Sequence, residues 1–253
     1  MIPIRDENPT SSTAVVTLLL IAINVAVFLT EPVFASGRSA EAQAVRQARY
    51  FECHAAVPYE LTHNKLAGDA IDSFPAPDNL FAGIEHETCP NKSIWLSILE
   101  SMFLHGSILH IGFNMLFLWI FGNNVEDRLG RVKYLAFYLL SGLAAAYAQS
   151  FVFPSSAQPL IGASGAIAGV LGAYLLLFPR ARIFSLFFIT VIVAPAWLMI
   201  GLWFLLQLLS GVGSVSGDTG VAYMAHVGGF VAGMLLLLVF RPRRRETPQA
   251  LPY

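Results

Sequence analysis

Apolar residues in this chain come in long unbroken blocks, with no strict alternation and little amphipathic periodicity. Six such blocks are drawn, at about 14–30, 97–121, 134–153, 160–178, 195–209 and 221–240. About 20 apolar residues at 1.5 Å rise cross the roughly 30 Å hydrocarbon core of a bilayer, so runs of this length predict transmembrane helices. The backbone must be helical there, because lipid offers its N–H and C=O groups no partner. A polar segment, 31–93, separates the first two blocks. Within it QAVRQARYF (43–51) has a helical period, whereas PAPDNLFAG (75–83) reads as turn or coil. The run 183–209 is too long for one upright helix and is divided by Pro195. Proline fits the first turn of a helix, so helix five is expected over 195–209, with 183–194 irregular and packed at the interface.

Composition sharpens this picture. The 253 residues are 56% hydrophobic and 12% charged, against about a quarter charged in soluble domains. The reading is an all-α polytopic membrane protein: a short N-terminus (1–13), a membrane domain (14–240) and a basic tail (241–253). A net charge of −1 gives no footprint for nucleic acid. The one basic tract, RPRRR (241–245), directly follows an apolar run and reads as a membrane-flanking anchor. MIPIRDENPT lacks the pattern of a cleavable signal peptide. No repeat of 20–50 residues and no second soluble domain is visible.

Orientation follows from Lys and Arg near the span ends. With the N-terminus inside, Arg5, Arg128, Arg131, Lys133, Arg180, Arg182, Arg241, Arg243, Arg244 and Arg245 are cytoplasmic, ten of fifteen basic residues. The other five lie in 31–93, and long loops cross largely regardless of charge. Both termini are therefore expected in the cytoplasm and 31–93 outside. Cys53 and Cys89 both fall in that segment, where a disulfide could persist. Two free thiols are the alternative.

Polar groups at membrane depth are costly and point to function. His110 and Asn114 are spaced i, i+4 and share one helix face. Each alone could be interhelical glue. His105 does not share that face well and reads as structural, nearer the interface. Ser164 opens an apolar run within IGASGAIAG (161–169), a stretch emptied of bulk. A lone serine could bond its own backbone, and Gly165 and Gly169 could serve close helix packing. But Ser164 lies near the start of its helix, where unpaired N–H groups carry the positive dipole end. Gly229 and Gly233 repeat the spacing beside His226, and two glycine ridges packed together would bring His226 to Ser164. A hydroxyl needs an adjacent base to become a nucleophile. Jointly, Ser164 reads as nucleophile and His226 as general base, with the Ser164 N–H, His110 and Asn114 as oxyanion donors. No carboxylate lies in spans four or six, so a dyad is expected. G-x-S-x-G is not present, since Ala166 holds the second glycine position. There is no H-E-x-x-H and no cluster with zinc-ligand spacing, so no metal or cofactor is called for.

HGSILHIGFNMLFLWIFGNNVEDRLG, GASGAIAG and AHVGGFVAG together resemble the rhomboid intramembrane serine proteases, across about 95–240. MIPIRDENPT is similar to the opening of many bacterial members. The resemblance implies a six-helix bundle with a water-filled cavity open to the outer face. It implies a Ser164–His226 dyad, His110 and Asn114 at the oxyanion, and a structural polar network of Glu126 and Arg128 at the cytoplasmic end of helices two and three. His105 is grouped with these two as a structural polar residue. Gly162, in the serine motif, is grouped with Gly165, Gly169, Gly229 and Gly233 as a helix-packing glycine. The implied partners are the lipid bilayer and single-pass transmembrane substrates cut near the outer boundary of a cell membrane. The chain departs from the family in three places. Trp95 precedes Leu96 where a Trp-Arg pair is frequent. Ala168 stands where many members carry a tyrosine against the histidine. The 31–93 loop is longer than in compact members. A catalytically inactive relative that binds membrane helices, and a small transporter with a polar path, are the competing readings.

Overall fold

The computed structural model describes residues 2–33, 39–68, 89, 91–213 and 220–242. The coil expected at 75–83 and Arg38, Arg243, Arg244 and Arg245 lie outside the described residues.

Helix α1 (Val15–Thr30) is capped in trans. The Glu126 carboxylate accepts from Val16 N (2.9 Å), Thr17 N (2.8 Å) and Thr17 Oγ1 (2.8 Å), meeting the free N–H groups of a helix start. Next in the chain come α2 (Ala40–His54), α3 (Pro58–His63) and α4 (Leu96–Ser101). Helix α5 (Ile108–Phe117) continues through a π-helical turn (Leu118–Gly122) into α6 (Asn123–Leu129). Gly130, at φ +76°, makes the sharp break before α7 (Arg131–Val152). Then come α8 (Ser164–Leu177), α9 (Ala196–Gly213) and α10 (Tyr223–Phe240).

Among the described residues four helices are long and apolar enough to cross a membrane: Ile108–Leu129, Arg131–Val152, Ala196–Gly213 and Tyr223–Phe240. Val15–Thr30 and Ser164–Leu177 are shorter apolar helices. Helix α8 is the centre of the core. It packs against both α7 and α10, and every residue from Gly165 to Tyr174 is buried.

Two expectations are corrected. The stretch 183–194 is not irregular. It forms an antiparallel hairpin, β2 (Arg182–Phe187) and β3 (Thr190–Pro195), and β2 also pairs with β1 (Ile2–Asp6), from Ile2↔Leu186 to Asp6↔Ile183. Its β-branched and aromatic residues suit a pleated surface. Their continuous apolarity hid the strand period, and the partner strand lies far away in sequence. Pro195 accordingly ends β3, and the fifth apolar helix begins at Ala196. Asp6 pins the sheet to the bundle, its Oδ2 accepting from Tyr174 Oη (2.6 Å) and Asn124 Nδ2 (2.9 Å).

The second correction concerns His105, grouped above with the structural residues Glu126 and Arg128. His105 precedes α5, whereas Glu126 and Arg128 lie in α6, about 30 Å away along the helix at 1.5 Å per residue. Glu126 meets the start of α1, and Arg128 lies over the Phe178 ring, 5.5 Å from its centroid. His105 belongs to the opposite end of the bundle, beside the end of α1. Its backbone N–H donates to Glu31 (3.0 and 3.2 Å), and its ring sits edge-on to His110 with centroids 5.1 Å apart.

The segment after α1 is cross-linked within itself and fastened to the bundle. Cys53 and Cys89 form a disulfide. Lys92 and Glu60 form a buried ion pair (2.7 Å, each side chain 2% exposed). Ala56 N donates to Ser101 Oγ (2.6 Å), and Leu160 N donates to Ala56 O (2.7 Å) in an isolated antiparallel bridge. That bridge ties the segment to the stretch of chain leading into α8.

Candidate active site

Ser164 is the first residue of α8, whose start has no side-chain cap. Its first-turn N–H groups are thus available to a ligand at the positive end of the helix dipole. The chain reaches this point through Gly162, at φ +116°. A Cβ on Gly162 would lie 2.8 Å from His110 Nε2 and 3.6 Å from Asn114 Nδ2. Glycine is needed there for both its dihedral and its lack of bulk. The Gly162 N–H donates to Ser101 O (2.9 Å), which holds the turn against α4.

His226 sits in the first turn of α10. Gln149 of α7 meets that helix start, its Oε1 accepting from Ala225 N (3.1 Å). His226 Nε2 lies 2.8 Å from Ser164 Oγ. The glycine ridges allow this approach. A Cβ on Gly229 would collide with the Gly165 carbonyl oxygen, and one on Gly233 with that of Gly169. Gly165 and Gly169 in turn leave room for Ala145 and Ser141 of α7, each within 2.6 Å of the Cβ they lack.

His110 and Asn114 face the same place from α5. Ser107 Oγ caps that helix, accepting from His110 N (3.2 Å). Gly106 N donates to His110 Nδ1 (3.4 Å), which leaves Nε2 to carry the proton toward the stretch before Ser164. Asn114 Nδ2 is buried with no hydrogen-bond partner, a donor held ready. A cavity of about 480 Å³ joins these groups, with His110, Asn114, Gln149, Ser164, Trp203 and His226 in its lining.

Two groups beside His226 escaped the sequence reading. Gln207 of α9 places Oε1 2.7 Å from His226 Nδ1. Trp203, one turn earlier, lies tilted beside the same imidazole with centroids 6.0 Å apart. It supplies an aromatic neighbour from another helix, where Ala168 offers none. Near the site, burial raises the Glu31 carboxyl to about 7. Among the described residues no group of three or more His, Cys, Asp or Glu could hold a metal ion.

The arrangement defines a class: an apolar helical bundle in which a serine at a helix start meets a histidine in a cavity flanked by unpaired donors. The chain belongs to the rhomboid family, since the Rhomboid domain matches residues 92–243. It is a multi-pass membrane protein. Rhomboid protein 1, mitochondrial, of Saccharomyces cerevisiae is 35% identical over 146 residues, 55% of this chain and 40% of that protein. Rhomboid protease GluP of Bacillus subtilis is 46% identical over 81 residues, 32% of this chain and 15% of that protein. Rhomboid protease GlpG of Yersinia pestis is 32% identical over 151 residues, 58% of this chain and 49% of that protein. The chain thus spans less than half the length of each of these three relatives.

Proposed function

We propose that the protein is an intramembrane serine endopeptidase, with Ser164 as nucleophile and His226 as general base. The observation that carries this reading is the 2.8 Å approach of His226 Nε2 to Ser164 Oγ inside the cavity. Ser164 Oγ attacks the scissile carbonyl carbon as its proton passes to His226 Nε2. The oxyanion is met by the Ser164 N–H, His110 Nε2–H and Asn114 Nδ2–H. The C–N bond then breaks, Nε2 returns the proton to the leaving amine, and an acyl-serine remains. Water, deprotonated by the same nitrogen, hydrolyses the ester and restores Ser164.

Location in the membrane supports a transmembrane substrate. Helix α8 has 14 residues and rises about 21 Å, short of the roughly 30 Å hydrocarbon core. Ser164 therefore works below the surface, and substrates are single-pass membrane proteins whose helix unwinds near the outer boundary. We place both termini in the cytoplasm of a cell whose plasma membrane holds the bundle. The 31–93 segment lies outside, where the Cys53–Cys89 disulfide is stable.

The test is a fluorophosphonate serine probe on the purified protein in mild detergent, with Ser164→Ala and His226→Ala alongside. Labelling of wild type that disappears in both variants is expected. Folded wild type that does not label would sink the reading and favour an inactive, helix-binding relative.

A further inference from the structure

We propose that Gln207 is the positioning residue of this site, a neutral third member that fixes which nitrogen of His226 acts as base. The inference rests on the protease reading above and deepens it. A serine–histidine pair works as nucleophile and base only if Nε2 presents its lone pair to Ser164 Oγ. The proton of the neutral imidazole must then reside on Nδ1, and which nitrogen carries it is set by the partner of the other. An imidazole without such a partner is free to take the opposite tautomer, in which Nε2–H faces the hydroxyl and no base is present. Orienting acids in serine hydrolases do this with a carboxylate. Neither α8 nor α10 carries a carboxylate.

Here α9 supplies the acceptor. Gln207 Oε1 lies 2.7 Å from His226 Nδ1, while Nε2 of the same ring lies 2.8 Å from Ser164 Oγ. The three groups form one chain, carboxamide oxygen to Nδ1–H and Nε2 to hydroxyl, drawn from three helices. Within α9, Gln207 is the one polar side chain between Ala196 and Leu209. A carboxamide at that depth is costly unless it is bonded, and its oxygen is bonded to the histidine. Trp203, one turn away on the same face, flanks the ring at 6.0 Å. Helix α9 thus sets the imidazole's tautomer through Gln207 and its lateral position through Trp203. A neutral acceptor differs from a carboxylate in one respect. It fixes the tautomer without placing a full negative charge in the apolar bundle, where an unpaired charge is most costly.

Three variants test this: Gln207→Leu, which removes the acceptor, Gln207→Glu, which keeps an oxygen at the same reach, and Ser164→Ala as the blank. Second-order rates of fluorophosphonate labelling are measured together with ring ¹⁵N NMR of His226 in detergent. In wild type, Nδ1 should show a protonated and Nε2 an unprotonated shift. Gln207→Leu should label about 10- to 100-fold more slowly, the loss of one hydrogen bond to a group that becomes charged. Its ¹⁵N spectrum should show a mixture of tautomers, with thermal unfolding close to wild type. Gln207→Glu should restore most of the rate. Labelling at the wild-type rate in Gln207→Leu, with Nδ1 still protonated, would overturn the proposal and leave the protease reading intact. Slow labelling in both variants would also overturn it, since an acceptor would then not be what matters. Wild type that fails to label strikes the protease reading instead, and the ¹⁵N comparison still decides whether Gln207 sets the tautomer.

Discussion

The backbone of Gly229 rests against the carbonyl of Gly165, so close that a β-carbon on Gly229 would overlap the Gly165 oxygen. One helical turn on, Gly233 meets Gly169 in the same way. Side chains cannot be accommodated along this seam between α8 and α10. The seam in turn sets the distance from His226 to Ser164: Ser164 directly precedes Gly165, and His226 lies three residues before Gly229.

Gly229→Ala and Gly233→Ala are therefore expected to lower stability by about 1–3 kcal/mol, the range for overpacking. They should also slow Ser164 labelling, because relief of the clash moves α10 away from α8. Gly201→Ala is the control. No atom lies within 4 Å of its added Cβ, and helix propensity alone predicts a gain of up to about 1 kcal/mol. Thermal unfolding in detergent ranks the three, and a Gly229→Ala protein as stable as Gly201→Ala would contradict the seam.

Much of this was legible in the sequence, for identifiable reasons. Long apolar blocks announce helices, and the glycine spacings in GASGAIAG and AHVGGFVAG announce where two helices touch. The hairpin 182–195 was not legible, because Phe184, Val191 and Val193 are as apolar as the residues between them, and the pairing strand at Ile2–Asp6 carries no local mark. Gln207 was missed for a different reason. It was read as part of an apolar run, and only the placement of α9 against α10 shows that it meets His226. A single carboxamide in an otherwise apolar helix was the available signal. His105 was misplaced because sequence neighbourhood says nothing of the partner, here Glu31 at the far end of α1.

Asn114→Ala should reduce kcat by about 10²–10³-fold, the usual loss of one oxyanion donor, with KM little changed. Stability should stay within about 0.5 kcal/mol of wild type. Asn114 Nδ2 has no hydrogen-bond partner, so its removal orphans no other group. Cleavage kinetics on a transmembrane substrate in proteoliposomes check the split. A raised KM with unchanged kcat would reassign Asn114 to ground-state binding.

Glu31 makes stability depend on pH. Burial lifts its carboxyl from 4.5 to about 7, despite the His105 N–H that favours the anion. The folded protein thus holds this proton more tightly than the unfolded chain. Its stabilising contribution is complete below about 4.5 and is lost as pH rises through about 7. Unfolding temperature should fall between about pH 4.5 and about 7 in wild type and level off above. Glu31→Gln should flatten this fall, and an unchanged slope in the variant would exclude Glu31 as its source.

The Cys53–Cys89 bridge and the Lys92–Glu60 pair act on the same piece of chain. The disulfide closes a separation of 36 residues, worth about 3–4 kcal/mol in a loop-entropy account. Lys92 is three residues beyond Cys89, its N–H donating to Cys89 O (3.0 Å), while its Nζ reaches Glu60 Oε2 and Glu52 O. Glu60→Ala would leave the Lys92 ammonium buried without its carboxylate, a loss of about 3–5 kcal/mol. Each break removes an anchor that holds the other in place, so the two costs should not add. The expected result is that Cys53→Ser with Glu60→Ala destabilises the outer segment by clearly less than the sum of the single variants. Hydrogen exchange of 52–61 and limited proteolysis under native conditions measure this. Strict additivity would mean that the bridge and the ion pair hold independent parts of the outer segment.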